Sequence, residues 1–412
     1  MLQSKFIREN ITHIIKNLNK RGFKFNNNYF NFLYNRKKEL TQQLEILYEK
    51  KKILATKYTV ESYTNKKKLG LSLKSKINKL EKILLDTNNE YINFMSTIPN
   101  VVHTTVTDAD TIIEINRNTD NIDTPKTHIN LLENQQYNLK KAVEMTQAKF
   151  SILDNNLSKL QRCICQFMLN THTEKHGYKE LYVPFIVNKK ALFNSGHLPK
   201  FSEDLFKIEG EDLWLNPTGE VPLVNYVQNT YFKPHELPLK LVCHTTCFRK
   251  EAGSYGQSSC GLIRQHQFDK VELVQIVENK DSYRALNSIV KDAQEVLTKL
   301  NLPHRIIMLG ASNLGFTATK TYDIEVWFPG TQKYIEVSSC SNTETFQAYR
   351  LNTKIKYNNK KSEEVHILNG SGLAVGRVLL GIIENYQTKE GNIVVPKVLQ
   401  SYMGTDLIVL QK

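Results

Sequence analysis

From Tyr29 to Ile98 the chain contains no proline, and its apolar residues recur in alternating steps of three and four. The first half carries Phe30, Leu33, Leu40, Leu44, Leu47 and Leu54, interrupted by Lys37 and Lys51. The second carries Leu73, Ile77, Leu80, Leu84, Tyr91, Phe94 and Ile98, interrupted by Thr87. Alternating steps of this kind put apolar side chains on one seam, as in a coiled coil. The polar stretch from Thr56 to Gly70 divides the pattern. Two helices folded back on one another therefore follow, each about 40 Å long at roughly 1.5 Å per residue. The outward face carries Lys50, Lys51, Lys52, Lys57, Lys66, Lys67, Lys68, Lys74, Lys76 and Lys79. On a protruding arm such lysines would neutralise phosphates with little base specificity, although a solvated coiled-coil surface has the same composition.

The formal net charge of +14 points the same way, toward an anionic partner, and fits the Lys-, Asn- and Ile-rich drift of the composition equally well. No apolar run approaches the length needed to span a bilayer, so no membrane association is expected. The segment from Met1 to Lys24 has the mixture of basic and apolar residues of a transit peptide. Glu9 and the lack of a cleavage-like boundary favour a short structural helix instead. Six cysteines, at 163, 165, 243, 247, 260 and 340, include no Cys-x-x-Cys pair. Cys243, His244 and Cys247 form the tightest cluster, but no second pair completes a metal site, so no zinc is expected and reduced thiols of a cytoplasmic protein are.

Pro99 ends the arm. Residues 101 to 130 read as a connecting segment, Thr-, Asp- and Asn-rich, with weak strand patterning from Ile112 to Ile115. From about residue 131 to 412, helical stretches such as Phe150 to His176 and Asp281 to Leu300 alternate with strand-like runs. This is the pattern of an α+β domain with helices on an antiparallel sheet. The strongest local feature lies in 241 to 277, where two strand-like runs flank a glycine-bearing loop. Side chains alternate faces along a strand, so Arg249 projects with Glu251, and Phe268 with Lys270 and Glu272. An arginine, an aromatic ring and carboxylates on one face suit a nucleotide and a substrate amine; a half-buried ion pair would use the same residues.

The run from Phe248 through Arg249, Lys250, Glu251, Ala252, Gly253, Ser254 and Tyr255 to Gly256, followed by His266 to Glu272, closely resembles motif 2 of bacterial seryl-tRNA synthetases. Further segments resemble the same family in the same order. They are Val183 to Phe201 (motif 1), Asn216 to Pro222, Tyr322 to Trp327 with Glu336 to Asn342, and motif 3 over about 369 to 386, beginning Asn369 to Arg377. Val395 to Met403 also fits, and the likeness spans nearly the whole chain.

The resemblance implies a class II synthetase: an antiparallel sheet flanked by helices over residues 131–412, and an N-terminal tRNA-binding domain, 1–100, with its antiparallel coiled-coil arm over about 29–98. It implies a serine–tRNA ligase that joins L-serine to ATP, releases pyrophosphate, and passes the seryl group to the 3′ end of tRNA(Ser), with tRNA(Sec) a further possible substrate. Arg249 and Arg377 would be catalytic. Arg249, Lys250, Glu251, Phe268, Glu336, Val337, Ser338, Ser339 and Arg377 would hold ATP, with Phe268 on the adenine. Thr218, Gly219, Glu220, Glu272 and Ser371 would hold serine. Glu336 and Ser339 would bind Mg2+, the hard cation that phosphates require. On a regular strand those two face opposite sides, so a bulge is required between them. A homodimer formed through motif 1, a cytoplasmic location and recognition of the long variable arm of tRNA also belong to the resemblance.

The chain departs from the family pattern at four positions. Gly219 replaces a usual alanine, which is expected to loosen the backbone there. Gln257 and Cys260 stand where relatives often carry arginine, and Tyr349 likewise replaces an arginine. A catalytically inactive, synthetase-like RNA-binding protein and a ligase acting on a carrier protein are the alternatives. The set Arg249, Glu251, Glu272, Glu336 and Arg377 speaks against the first, and the arm against the second.

Overall fold

The computed structural model describes residues 1–56, 63–116, 124–132, 139–252, 263–358 and 361–410. The chain divides into two units, Phe23–Pro99 and a larger one made of Met1–Gly22 with Asn100–Lys412. Residues 1–22, expected with the arm, thus group with the larger unit. They form two short helices, α1 (Ser4–Glu9) and α2 (Ile11–Lys20). The side-chain amide of Asn17 brackets Val102, donating to its carbonyl at 2.8 Å and accepting from its N–H at 2.6 Å.

The smaller unit is the expected helical hairpin, α3 (Asn27–Thr56) and α4 (Tyr63–Ser96). Tyr29 bonds Glu90, and Tyr48 bonds Glu81, so the helices run antiparallel. The seam is the one the spacing defines: Phe30, Leu33, Leu40, Leu44, Leu73, Ile77, Thr87 and Tyr91 are buried. Lys37, which breaks the apolar series, lays its ammonium 5.0 Å from the centre of the Tyr91 ring, a cation–π contact that keeps the charge on the seam's edge. Lys50, Lys51, Lys52, Lys67, Lys68, Lys74, Lys76 and Lys79 are exposed, and Lys57 lies outside the described residues.

The larger unit is built on an eight-stranded sheet. In chain order its strands are β1 (Thr111–Asn116), β2 (Lys179–Glu180), β3 (Leu239–Phe248), β4 (Gln267–Val277), β5 (His304–Met308), β6 (Lys320–Phe328), β7 (Lys333–Asn342) and β8 (His366–Ala374). Their spatial order is β1-β5-β6-β7-β8-β4-β3-β2, antiparallel throughout except for the short β2–β3 pair. Helices α5 (Asn155–Asn170), α6 (Ser282–Lys299) and α7 (Val375–Asn385) share one core with Val271 and Leu273 of β4. A strand's alternate residues face opposite sides, so Phe268, Lys270 and Glu272 turn away from these helices. The sheet is therefore apolar where the helices cover it and carries its functional groups on the reverse.

Candidate active site

A cavity of about 430 Å³ opens on that reverse face. The β3–β4 hairpin forms its floor, with Cys243 opposite Glu272, Thr245 opposite Lys270 and Cys247 opposite Phe268. Arg249 follows β3, its N–H bonded to His266 O at 2.9 Å, so the backbone pairing continues past the strand. The guanidinium stands 5.3 Å from the centre of the Phe268 ring and donates through Nε to Pro217 O at 3.1 Å. Glu251, at φ 50°, pairs with Arg264 at 3.5 Å. Arg249, Glu251 and Phe268 all line the cavity.

Deeper in, Lys270 and Glu272 form a buried ion pair. Thr218 completes it: its hydroxyl accepts from Lys270 Nζ at 2.8 Å and from the Glu220 N–H at 3.2 Å, and it donates to Glu272 Oε2 at 3.1 Å. Both lone pairs and the single proton of the hydroxyl are thereby used, which fixes its orientation. Glu220 Oε1 accepts from Gln347 Nε2 at 2.6 Å and from Asn369 Nδ2 at 2.8 Å. Burial, and then the charge of Glu272, push the Glu220 carboxyl up to about 7. Ser371 is the register partner of Glu272 across β4–β8 and lines the same end. The result is a buried polar pocket with two carboxylates, one ammonium and an oriented hydroxyl, suited to a small zwitterion bearing a polar side chain.

The opposite edge is more open. The register of β7 on β6 shifts between Glu336 and Ser338, which is the bulge the strand alternation demands if Glu336 and Ser339 are to face one cavity. Both do line it, with Val337. Arg377, in the first turn of α7, donates to Glu336 O at 2.7 Å and Ile263 O at 3.2 Å, with the Glu336 carboxylate at 3.7 Å. Asp323, opposite Ser339, accepts a hydrogen bond from its hydroxyl. Burial and the charge of Glu336 push this carboxyl up to about 7, and its Oδ1 is buried without a partner. Two carboxylates and a hydroxyl with an unfilled acceptor are a donor set for a hard cation that takes its remaining ligands from phosphate.

Three expected site residues lie elsewhere. The Lys250 ammonium stands over the Phe206 ring at 5.6 Å, and Lys250 is not among the cavity-lining residues. Ser338 is buried, its hydroxyl donating to Ser371 O at 2.6 Å, so it braces β7 against β8. Gly219 lies beneath the pocket with ordinary helical angles, and a Cβ there would stand 2.7 Å from Cys243 Sγ and 2.9 Å from Glu272 Cβ. This corrects the loosening role: the glycine supplies space. Cys243 and Cys247 share one face of β3, while His244 points to the other, 3.4 Å from Asp269. The loop bearing Gln257 and Cys260 lies outside the described residues. Lys270, Asn369, Gln347 and Asp323 complete the site although the motif comparison assigns them no role. Lys270 left a signal in its place between Phe268 and Glu272 in a period of two, and Asn369 and Asp323 lie inside segments that carry the resemblance, whereas Gln347 left none.

Residues 204–386 match the tRNA synthetase class II core domain family (G, H, P, S and T). The serine–tRNA ligase of Desulforapulum autotrophicum is 43% identical over 98% of this chain and 98% of its own length. That of Phytoplasma mali is 42% identical over 99% of this chain and 100% of its own. Among solved structures, seryl-tRNA synthetase from Pyrococcus horikoshii complexed with ATP superposes with a TM-score of 0.88 at 28% identity, covering 100% of both chains. The cytoplasmic serine–tRNA ligase of Naegleria fowleri in complex with AMP gives 0.81 at 27%, over 97% of this chain and 95% of that one. Full-length identity above two-fifths, joined to this pocket, places the chain in the serine–tRNA ligase family of class II aminoacyl-tRNA synthetases.

Proposed function

We propose that the cavity activates L-serine with ATP and that the protein then charges tRNA(Ser). A serine carboxylate oxygen attacks the α-phosphorus, the bond to the β-phosphate oxygen breaks, and pyrophosphate leaves. A ribose hydroxyl at the tRNA 3′ end then attacks the seryl carbonyl and AMP departs. Neither step asks the protein for covalent chemistry, so positioning and charge neutralisation carry the rate. The observation that carries this reading is the continuity of one cavity from the Arg249–Phe268 pair to the Thr218–Lys270–Glu272 network. ATP and AMP in the related structures support it.

In this reading adenine stacks on Phe268, and Arg249 bridges the α-phosphate and the serine carboxylate, since a guanidinium can serve two oxyanions. Glu251 and Arg377 serve the rest of the nucleotide, with Lys250 acting from outside the cavity wall and Val337, Ser338 and Gly219 through the backbone that shapes it. Glu272, Glu220, Thr218 and Ser371 select serine. Alanine would leave those groups unpaired, which is a strong ground for rejection. Glu336 and Ser339 would hold Mg2+, which would neutralise the phosphates; Asp323 accepts a hydrogen bond from the Ser339 hydroxyl, which would leave the oxygen's lone pairs for the metal. The lysine-bearing hairpin would meet the long variable arm of tRNA through its backbone. Homodimerisation through residues 183–201 and work in the cytoplasm belong to the same proposal. No described helix is long and apolar enough to cross a membrane.

Serine-dependent ATP–pyrophosphate exchange, followed by charging of tRNA(Ser), tests the two steps separately. Absence of exchange overturns the activation step; exchange without charging overturns the transfer step alone. Removing residues 41–86 of the hairpin is expected to spare exchange and abolish charging, and unchanged charging would refute the arm's part in binding tRNA.

A further inference from the structure

The wall of the cavity formed by Gly315, Phe316, Thr317 and Ala318 belongs to no helix or strand. Its backbone carbonyls nevertheless all have partners, and two residues from outside the loop reach every one of them. Arg21 Nη2 donates to Leu314 O at 2.8 Å and Gly315 O at 2.6 Å, and Nη1 to Ala318 O at 3.0 Å. Asn100 donates from its backbone N–H to Phe316 O at 3.0 Å and from Nδ2 to Thr317 O at 2.9 Å. The two donors are themselves joined, Arg21 Nη1 to Asn100 O at 2.7 Å. Five consecutive carbonyls, 314 through 318, are thus held from behind, and all four terminal N–H groups of the guanidinium are used.

Arg21 and Asn100 have a particular place in the chain. The Phe23–Pro99 unit leaves the larger unit after Gly22 and returns at Asn100. The residues at the two attachment points of the helical hairpin are therefore those that fix the cavity wall. That wall abuts the amino-acid end. A Cβ on Gly196 would lie 2.3 Å from Thr317 Cγ2, so the wall sits directly against the Ser195–His197 turn. Gln347 Nε2 donates both to Ser195 O at 2.9 Å and to Glu220 Oε1 at 2.6 Å.

We infer that Arg21 and Asn100 are positioning residues for the serine end of the cavity, clamping residues 314–318 from the root of the hairpin so that the wall holds its place without a ladder of its own. Lysine cannot reproduce the clamp, because one compact ammonium has three donors and no planar fork to span four carbonyls. Loss of the guanidinium leaves three partly buried acceptors, Leu314 O, Ala318 O and Asn100 O, without their donor, while Gly315 O keeps the Ala318 N–H; the freed groups recover partners only by moving toward water. The inference rests on the assignment of the Thr218–Glu272 end to serine.

The test is ATP–pyrophosphate exchange on the full chain, with serine and ATP varied separately. Displacement of a substrate-positioning wall by about 1 Å costs on the order of 10²-fold, so Arg21→Met is expected to raise the serine KM by about that factor and the ATP KM by less than about threefold. Arg21→Lys should fall between wild type and Arg21→Met, and Asn100→Ala, which keeps the backbone donor, should raise the serine KM by about tenfold. If Arg21→Met does not fold, the two milder variants carry the test. A wild-type serine KM in both milder variants, or serine and ATP KM values rising together, overturns the inference. Glu272→Ala is measured alongside: if it leaves the serine KM unchanged, the serine assignment itself falls, whereas a raised KM there with none in the Arg21 and Asn100 variants defeats the clamp alone.

Discussion

At one end of the cavity Lys270 and Glu272 are paired with side chains only 9% and 3% exposed; at the other, Arg377 and Glu336 face each other at 26% and 47%. The buried end consists of groups that satisfy one another before any ligand arrives, so its shape is fixed and its charges act in a low dielectric. The open edge holds charges that water and salt reach, as suits a site that must admit a triphosphate and release pyrophosphate. In the proposed reading selectivity belongs to the end whose network a wrong ligand would leave unpaired. Throughput, in the same reading, belongs to the end that solvent can refill.

The hardest blow to this contrast comes at Glu272. Glu272→Ala removes the carboxylate from Lys270 and Thr218 and leaves a buried ammonium without its partner, a change far costlier than the loss of a surface pair. Serine kcat/KM is expected to fall by about 10³-fold or more, while ATP affinity, read by equilibrium binding, changes by less than about threefold. Equal losses in both would mean that the two ends are one site.

The open edge should answer less severely and in a salt-dependent way. Arg377→Ala removes the donor to Glu336 O and Ile263 O along with a phosphate-facing charge, and about 10²-fold in exchange rate is expected, the scale of one lost transition-state donor. In the wild type, raising ionic strength from about 0.05 to about 0.5 M should raise the ATP KM more than the serine KM, because screening acts on exposed charges first. Identical salt responses would erase the distinction.

The two ends also differ in how far the sequence discloses them. Alternation along 267–277 was enough to set Phe268, Lys270 and Glu272 on one face, and the seam of the helical hairpin followed from its spacing. The opposed sides of Glu336 and Ser339 on a regular strand even announced the bulge that the structure contains. Those are local regularities. Asn369 and Gln347 reach Glu220 from 149 and 127 residues away, and Arg21 reaches the 314–318 wall from nearly 300. Such partners are chosen by tertiary packing and leave no periodic trace. Lys250 shows the converse: it sits inside a recognisable motif, yet the chain turns after Arg249 and sends its side chain to Phe206.

Gly219 tests how tightly the buried end is built. A methyl group there would stand 2.7 Å from Cys243 Sγ, and neither neighbour is at a flexible tip. Gly219→Ala should cost about 1–3 kcal/mol in denaturant melts, as overpacked sites do, and raise the serine KM several-fold. Cys243→Ala in the same chain removes the obstructing sulfur and should restore part of both, giving a non-zero coupling in the double-mutant cycle. Simple additivity would show that the thiol is not what the glycine makes room for.

The mildest effect is also the most specific. Burial and the neighbouring Glu272 charge raise the Glu220 carboxyl from 4.5 to about 7. A raised folded value means that this group's contribution to stability is present at acid pH and is lost as pH climbs through about 7. Serine binding should show the opposite slope. The α-ammonium of serine favours the ionised carboxylate, so binding expels a proton wherever Glu220 is still protonated, and the serine KM should fall a few-fold between about pH 6 and about pH 8. In the proposed reading ATP binds at the edge away from Glu220, so its KM over the same range provides the internal reference. Glu220→Gln keeps an oxygen to accept from Gln347 and Asn369 while removing the titration, so the slope should flatten without loss of the network. A slope that survives in the glutamine variant would show that the titrating group is not Glu220 and would break the link between the raised carboxyl and serine binding.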